Sequence, residues 1–254
     1  MLILAIGDLH CGHRLGLTPP AWRVSAGRDE RQHAMQTEMW TRFRELVRAA
    51  KPDLLLANGD LIDGRGERSG GVELITGDRS EQADIAVRCL KECRARHIVI
   101  TRGTPYHTGT EEDFEDLIAA RLGAQIVDHA HIDADGVLLD ARHHVGGSGV
   151  PHGRHTAMAR ERLWAELGVA AGTRDRATVY LRSHVHYHAY CGGPGWLGMT
   201  LPALQAGGTK YGARRCTGEV HWGVVWVEVQ NGRVVGWRAE TVQLAAAKSQ
   251  PLRF

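Results

Sequence analysis

The residues with the most telling chemistry are aspartates and histidines standing two apart or in glycine-flanked turns: Asp8-Leu9-His10, Gly59-Asp60-Leu61-Ile62-Asp63, His143-His144 and His184-Val185-His186. Carboxylate oxygen and imidazole nitrogen together suit divalent Mn, Fe, Zn or Ni, and one carboxylate can bridge two ions about 3.5–4 Å apart. Side chains at i and i+2 of an extended strand end point the same way, so each Asp-x-His or His-x-His pair can aim both donors at one place. One such pair carries little weight. Two of them, with Gly-Asp-x-x-Asp and a His-His pair between, form a pattern that turn-making residues alone do not explain. A metal pair of this kind activates water for hydrolysis, and a leaving oxygen then needs a proton or a positive neighbour, for which His107, Arg102 and Arg14 are the candidates. Arg14, Arg65 and Arg68 could also fork to phosphate oxygens.

Each group follows a short apolar run. Leu2 to Ile6 reads as a strand ending before Asp8. Asp53 to Ala57 ends in Asn58-Gly59-Asp60, His97 to Ile100 leads to Arg102-Gly103-Thr104-Pro105-Tyr106-His107, Gly136 to His143 carries the His-His pair, and Thr178 to Leu181 precedes Ser183-His184. Between them His33 to Ala50, Ser80 to Arg96 and Gly153 to Gly168 read as helices, with Ser80 placed to cap the second. Thr110 before Glu111-Glu112-Asp113 reads as a further helix start. Trp196 to Leu204, Trp222 to Val229 and Val234 to Glu240 read as antiparallel strands, the last two joined at Asn231-Gly232. This alternation predicts an α/β fold, in which the carboxyl ends of strands line one crevice. Arg14 to Arg31 and Gly64 to Arg79 lack periodicity and read as long loops. With no linker or repeat, residues 1–254 read as one domain.

The chain has 31 Lys+Arg against 29 Asp+Glu, a formal charge of +2. That balance excludes a highly charged disordered tail and a strongly basic coat for duplex nucleic acid. Five scattered cysteines predict no disulfide framework and a reducing, cytoplasmic setting, with Cys89 and Cys93 as small buried side chains. The apolar start is too short to span a membrane, so no export and no membrane association is expected. Of the 15 histidines, His33, His97, His129, His131, His152, His155 and His221 read as structural or solvent-facing, while His13 and His188 stand near the motifs. Trp222, Trp226 and Trp237 read as core. Gly207 to Arg215 reads as a flexible surface turn, with a phosphate-contacting loop as the alternative.

In this order the motifs resemble those of the calcineurin-like metallophosphoesterase superfamily, which carries Asp-x-His, Gly-Asp-x-x-Asp, Gly-Asn-His-Asp/Glu, a His and Gly-His-x-His at successive strand ends. The resemblance covers about residues 1–190. Gly-Leu-Thr-Pro-Pro at 16–20, Arg102 to His107, Arg182-Ser183-His184 and Leu201 to Gln205 also resemble a phage and prophage group of such proteins. The resemblance implies an αββα sandwich, two mixed β-sheets packed face to face and flanked by helices. It implies that Asp8, His10 and His186 hold one ion, that Asp60 bridges to a second, and that His184 with His144, or alternatively His143, holds the second. Asp63 would orient a histidine. The implied cofactors are two divalent ions, Mn²⁺ first, with Zn²⁺, Fe²⁺ or Ni²⁺ as alternatives. The implied reaction is hydrolysis of a phosphoester, a diester before a monoester, with nucleic acid or a nucleotide as substrate. Near-neutral charge favours short or single-stranded forms.

The departure is Thr104, which stands where the family has an Asn ligand followed at once by a catalytic His. Either Thr104 holds the second ion weakly, or His107 swings in as ligand or general acid. Thr104 also motivates a rival, a metal-binding or nucleic-acid-binding module without turnover. The His-x-His-x-Asp-His run of another metallohydrolase class does not occur. Oligomeric state has no signature in the sequence.

Overall fold

Four of the five residues of the apolar run Leu2–Ile6 are buried as β1. Strands so enclosed on both faces read as continuous apolar runs, as this one does. In the computed structural model, which describes residues 1–109, 112–216 and 218–247, β1 is followed by α1 (Glu30–Arg48), β2 (Leu54–Asn58), α2 (Arg79–Lys91), β3 (His97–Thr101), α3 (Pro105–Thr108), α4 (Phe114–Leu122) and β4 (Gln125–Val127). The second half holds β5 (Ala130–Ala134), β6 (Val137–Ala141), α5 (Arg154–Ala170), β7 (Val179–Arg182), β8 (Ala189–Gly193), β9 (Trp196–Thr200), α6 (Lys210–Arg215), β10 (Trp222–Gln230) and β11 (Arg233–Val242).

The strands make two mixed sheets, in the orders β11-β10-β1-β2-β3-β4 and β5-β6-β7-β9-β8. β1 to β4 run parallel, as do β6, β7 and β9, so their carboxyl ends gather at common edges. Alternation along β1 sorts the core. Ile3 and Ala5 meet Leu56, Leu139, Leu181 and Val225 between the sheets, whereas Leu4 and Ile6 pack with Phe43 of α1 and Ile85 and Leu90 of α2. On the outer face of the second sheet, Ala157, Met158 and Ala165 of α5 cover Tyr180. The layers are therefore αββα, as the motif resemblance implies. Among the described residues no helix is long and apolar enough to cross a membrane.

Several boundaries differ from the sequence reading. The cap of α2 is Asp78, whose carboxylate accepts from the N–H of Ser80 and Glu81, so Ser80 is helical rather than capping. That helix ends at Lys91, and Arg94 turns with φ 52° into β3. Thr110 and Glu111 lie outside the described residues, and α4 starts from the cap Asp113. The strands β4, β5 and β8 were absent from the sequence reading because they lie at or beside sheet edges and carry mixed polar sequence. Gly207 to Arg215 includes the short helix α6, capped by Thr209. Trp222 and Trp226 are buried in the core and Trp237 packs half-buried against the inter-sheet cluster. Cys11, Cys89 and Cys93 are buried free thiols.

One buried acid ties this frame to the chemistry at its edge. Glu115, on the first turn of α4, is fully buried; it accepts from the N–H of Leu61 at 2.8 Å and of Gly103 at 2.7 Å. It thereby holds the turn after β2 against the turn after β3. Burial pushes its carboxyl up to about 8. Glu115→Ala would leave two buried N–H groups unpaired, a loss of about 2–5 kcal/mol by urea unfolding, while Glu115→Gln, which keeps one acceptor, loses less. An Ala variant within about 0.5 kcal/mol of the parent would contradict this role.

Candidate metal centre

Among the described non-glycine residues with positive φ are Asp8 (51°), His10 (45°), Asp60 (51°), His184 (72°) and His186 (54°). Such backbone costs of order 1–3 kcal/mol per residue and persists where the surroundings overdetermine it, commonly at functional sites. Here the turns are stitched to one another: the N–H of Asp8, His10 and Cys11 donate to the carbonyls of Gly59, Asp60 and Leu61, each at 3.0 Å. Close approach is possible because the turn after β2 has a glycine. A Cβ on Gly59, whose φ is 78°, would stand 2.5 Å from the His143 ring, and one on Gly103 would stand 2.2 Å from the Asp60 nitrogen.

These turns bring the predicted donors into three adjoining groups, Asp8/His10/His186, His10/Asp60/His107 and Asp60/His143/His184, with the ligand atoms of each group within 4.8 Å of one another. Asp60 and His10 each belong to two groups. His10 donates Nδ1–H to Asp63 at 2.9 Å, which turns its Nε2 toward His186 Nε2 at 3.3 Å. His186 Nε2 lies 3.3 Å from Asp8. His143 donates Nδ1–H to the Asn58 carbonyl at 2.8 Å, so in the neutral ring Nε2 is a lone pair, and it faces an Asp60 oxygen at 3.1 Å. A lone pair against a carboxylate in a buried place is repulsive until a cation, proton or metal, stands between them. The donor set of carboxylate oxygens and imidazole nitrogens fits borderline divalent ions.

The second-group histidine is where the placement differs from the favoured reading. His143, buried, enters the Asp60 group; His144 lies further out with its ring 4.6 Å from that of His184. Arg102 is not at the centre either. Three carboxylates claim its guanidinium, Asp116 at 2.6 Å, Asp128 at 3.1 Å and Asp113 at 3.7 Å, and hold it at the α4 side. Thr104 is at the centre: its Oγ1 is 3.3 Å from both Asp60 and His184. His107 donates Nδ1–H to the Asp63 carbonyl at 2.9 Å. His13 is buried and accepts from the Leu15 N–H, and His188 donates to the Thr200 carbonyl. Arg65 is exposed and the Arg68 side chain lies outside the described residues. Sequence reasoning missed Asn58, whose Nδ2 donates to Ser183 Oγ at 2.8 Å and whose Oδ1 accepts from Thr101 at 2.7 Å, and it missed Glu115. Asn58 stood in the quoted Asn-Gly-Asp turn, but nothing in its spacing marked it as a strut.

Electrostatics follows from this packing. Burial lowers the His143 imidazolium, yet the Asp60 carboxylate and then Asp8 push it up to about 10. His186 is likewise raised against its burial by Asp8. Burial and the neighbouring His143 bring His184 down to about 4. In the ion-free chain at pH 7, His143 therefore carries a proton that an arriving ion must displace, and Asp8 biases His186 the same way. Affinity for Mn²⁺ should rise with pH, by about tenfold per unit for each proton displaced below its pKa. Calorimetric titrations in two buffers of different ionisation enthalpy should show about one proton or more released per chain at pH 7; heats independent of buffer, with equal affinity at pH 6 and 8, would contradict this.

Residues 1–119 match the family model for calcineurin-like phosphoesterase. That span includes Asp8, His10, Asp60, Asp63 and the Gly103 to His107 turn, while His143, His184 and His186 lie beyond it. No curated protein matches the chain. Among solved structures, Vps29 of Chaetomium thermophilum is similar at 13% identity and TM-score 0.50, covering 95% of this chain and 97% of that one. A Vps29 variant of Entamoeba histolytica (14%, 96% and 100% covered, TM-score 0.49) and an archaeal phosphodiesterase (12%, 95% and 100% covered, TM-score 0.49) are also similar. The chain thus carries a calcineurin-like phosphoesterase match over its first 119 residues on a metallophosphoesterase fold.

Proposed function

We propose that this chain is a dinuclear metal-dependent phosphoesterase that cleaves phosphodiesters, with a nucleotide or short, single-stranded nucleic acid as substrate. The observation that carries the reading is the place of Asp60, a buried carboxylate shared between the His10/His107 and His143/His184 donors. Asp8, His10 and His186 would hold one ion and His143 and His184 the other, with Asp60 between. Two divalent ions, Mn²⁺ foremost, would supply polarisation of phosphoryl oxygens and an activated water.

The remaining work falls to the chain. Asp63 fixes the tautomer and orientation of His10 through its 2.9 Å contact, as outer carboxylates do for ligating imidazoles. His107 has its Nδ1–H committed to Asp63, and burial with the neighbouring His10 lowers its pKa. It is thus suited to accept a proton or a ligand bond through Nε2, and less to act as the general acid. A cleft of about 400 Å³ between the two long loops is lined by Arg14, Trp22, Arg23 and Arg28. Guanidinium forks beside an indole suit phosphate and a base or sugar. Arg14 follows His13, which places the cleft next to the loop bearing His10, since the Ile75 N–H donates to the Gly12 carbonyl at 2.7 Å.

A second reading keeps the ions and drops the turnover. Thr104 favours it, because a hydroxyl 3.3 Å from Asp60 and His184 is a poorer ligand than an amide carbonyl. Metal-stripped protein titrated with Mn²⁺ separates the two on bis-aryl phosphate and the aryl monoester of the same leaving group. We expect metal-dependent turnover, faster on the diester, that falls at least about 100-fold in Asp60→Asn. Bound metal without turnover for Mn²⁺, Zn²⁺, Ni²⁺ or Fe²⁺ would put the binding module first.

A further inference from the structure

A second constellation of donors lies on the outer face of the other sheet, apart from the centre described above. In the β5–β6 hairpin His131 stands directly opposite Asp140. His129 precedes His131 by two residues, so both imidazoles project to one side. The register makes this the outer side: Leu138, two before Asp140, packs with the α5 cluster. His129 Nε2 lies 2.8 Å from one Asp140 oxygen and His131 Nε2 lies 3.3 Å from the other. Asp140 is buried, the two rings are 27% and 39% exposed, and His129 lines a cleft of about 290 Å³ together with Glu161, Arg142, Arg174 and Arg182.

We propose that His129, His131 and Asp140 form a separate site for one borderline divalent transition-metal ion, Zn²⁺ or Ni²⁺ by its donor chemistry. Two imidazoles and one carboxylate are the donors such ions take, and the open side leaves room for water to complete the shell. The donor spacings match those of Asp60 with His143 (3.1 Å) and Asp8 with His186 (3.3 Å). Arg182 holds Asp140 in place at 2.7 Å through the oxygen that faces His129, leaving the oxygen that faces His131 free of it, and its own charge is met by Glu161 at 3.0 Å. Both histidines read as structural or solvent-facing from sequence; the acid that meets them, Asp140, comes nine residues after His131 and reaches it only across the hairpin.

The site is independent of the phosphoesterase reading, and its test needs no turnover. Full-length protein stripped with chelator and dialysed against Zn²⁺ is compared with His129→Ala/His131→Ala by metal analysis. The variant should hold one ion fewer, and the chain disabled at the first centre by Asp8→Asn/Asp60→Asn should still hold one that the histidine pair removes. Equal metal content with and without the two histidines would overturn the proposal. In the unmodified chain, Zn²⁺ should also shift the imidazole nitrogen resonances of His129 and His131; saturating Zn²⁺ that leaves both unmoved would overturn it equally, with no dependence on a variant's folding.

Discussion

The rest of the structure depends on two carboxylates, Asp8 and Asp60, held in the dry interior among imidazoles, with the His184 N–H on Asp8 and the Thr104 N–H and hydroxyl on Asp60 as neutral donors. Neither has a Lys or Arg partner among the described residues. An ion in such surroundings loses hydration worth several kcal/mol, and like charges near each other add to that. Imidazole lone pairs, turned inward by hydrogen bonds on the far nitrogen, do not relieve it. What relieves it is positive charge, brought by protons on His143 and His186 or by divalent ions. The five left-handed residues store further strain at the same place, so the fold spends stability to hold these donors together.

That cost explains how the surrounding scaffold is used. Parallel strands bring Asp8, Asp60, Thr104 and His184 to one edge because each stands just past a strand's carboxyl end. The two sheets are coupled there by Asn58, which touches Thr101 in its own sheet and Ser183 and Arg142 at the ends of the other. Its carbonyl also accepts the hydrogen bond from His143 Nδ1–H. Arg182 does similar work one layer out, donating to the Asp140 and Leu181 carbonyls beside its ion pairs, so β6 and β7 deliver His143 and His184 in fixed relation. The donors are rigid because buried polar struts, rather than the donors themselves, absorb the loops' freedom.

Much of this was legible in sequence where chemistry and local geometry coincide. Asp-x-His and His-x-His past strand ends mark the donors by residue type and place, although left-handed turns rather than extended strand aim them, and His184 and His186 go to adjoining groups rather than to one. The α/β class followed from apolar runs such as Leu2 to Ile6 alternating with amphipathic helices, whereas the two-sheet layering was implied only by the motif resemblance. The choice between His143 and His144 was not legible: adjacent residues face opposite ways, and which faces Asp60 depends on the register of β6 against β7. Arg102 was misjudged for a related reason, because the acids that draw it away belong to α4 and the β4–β5 turn. Glu115 had no signature at all; an acid in the first turn of a helix ordinarily faces solvent, and only tertiary packing turns it onto two buried N–H groups.

The most direct test is anomalous diffraction from crystals of this protein grown with Mn²⁺. The account predicts two peaks about 3.5–4 Å apart with the Asp60 carboxylate between them, Asp8, His10 and His186 on one and His143 and His184 on the other. A single peak, or none with His143 still paired directly to Asp60, would contradict it.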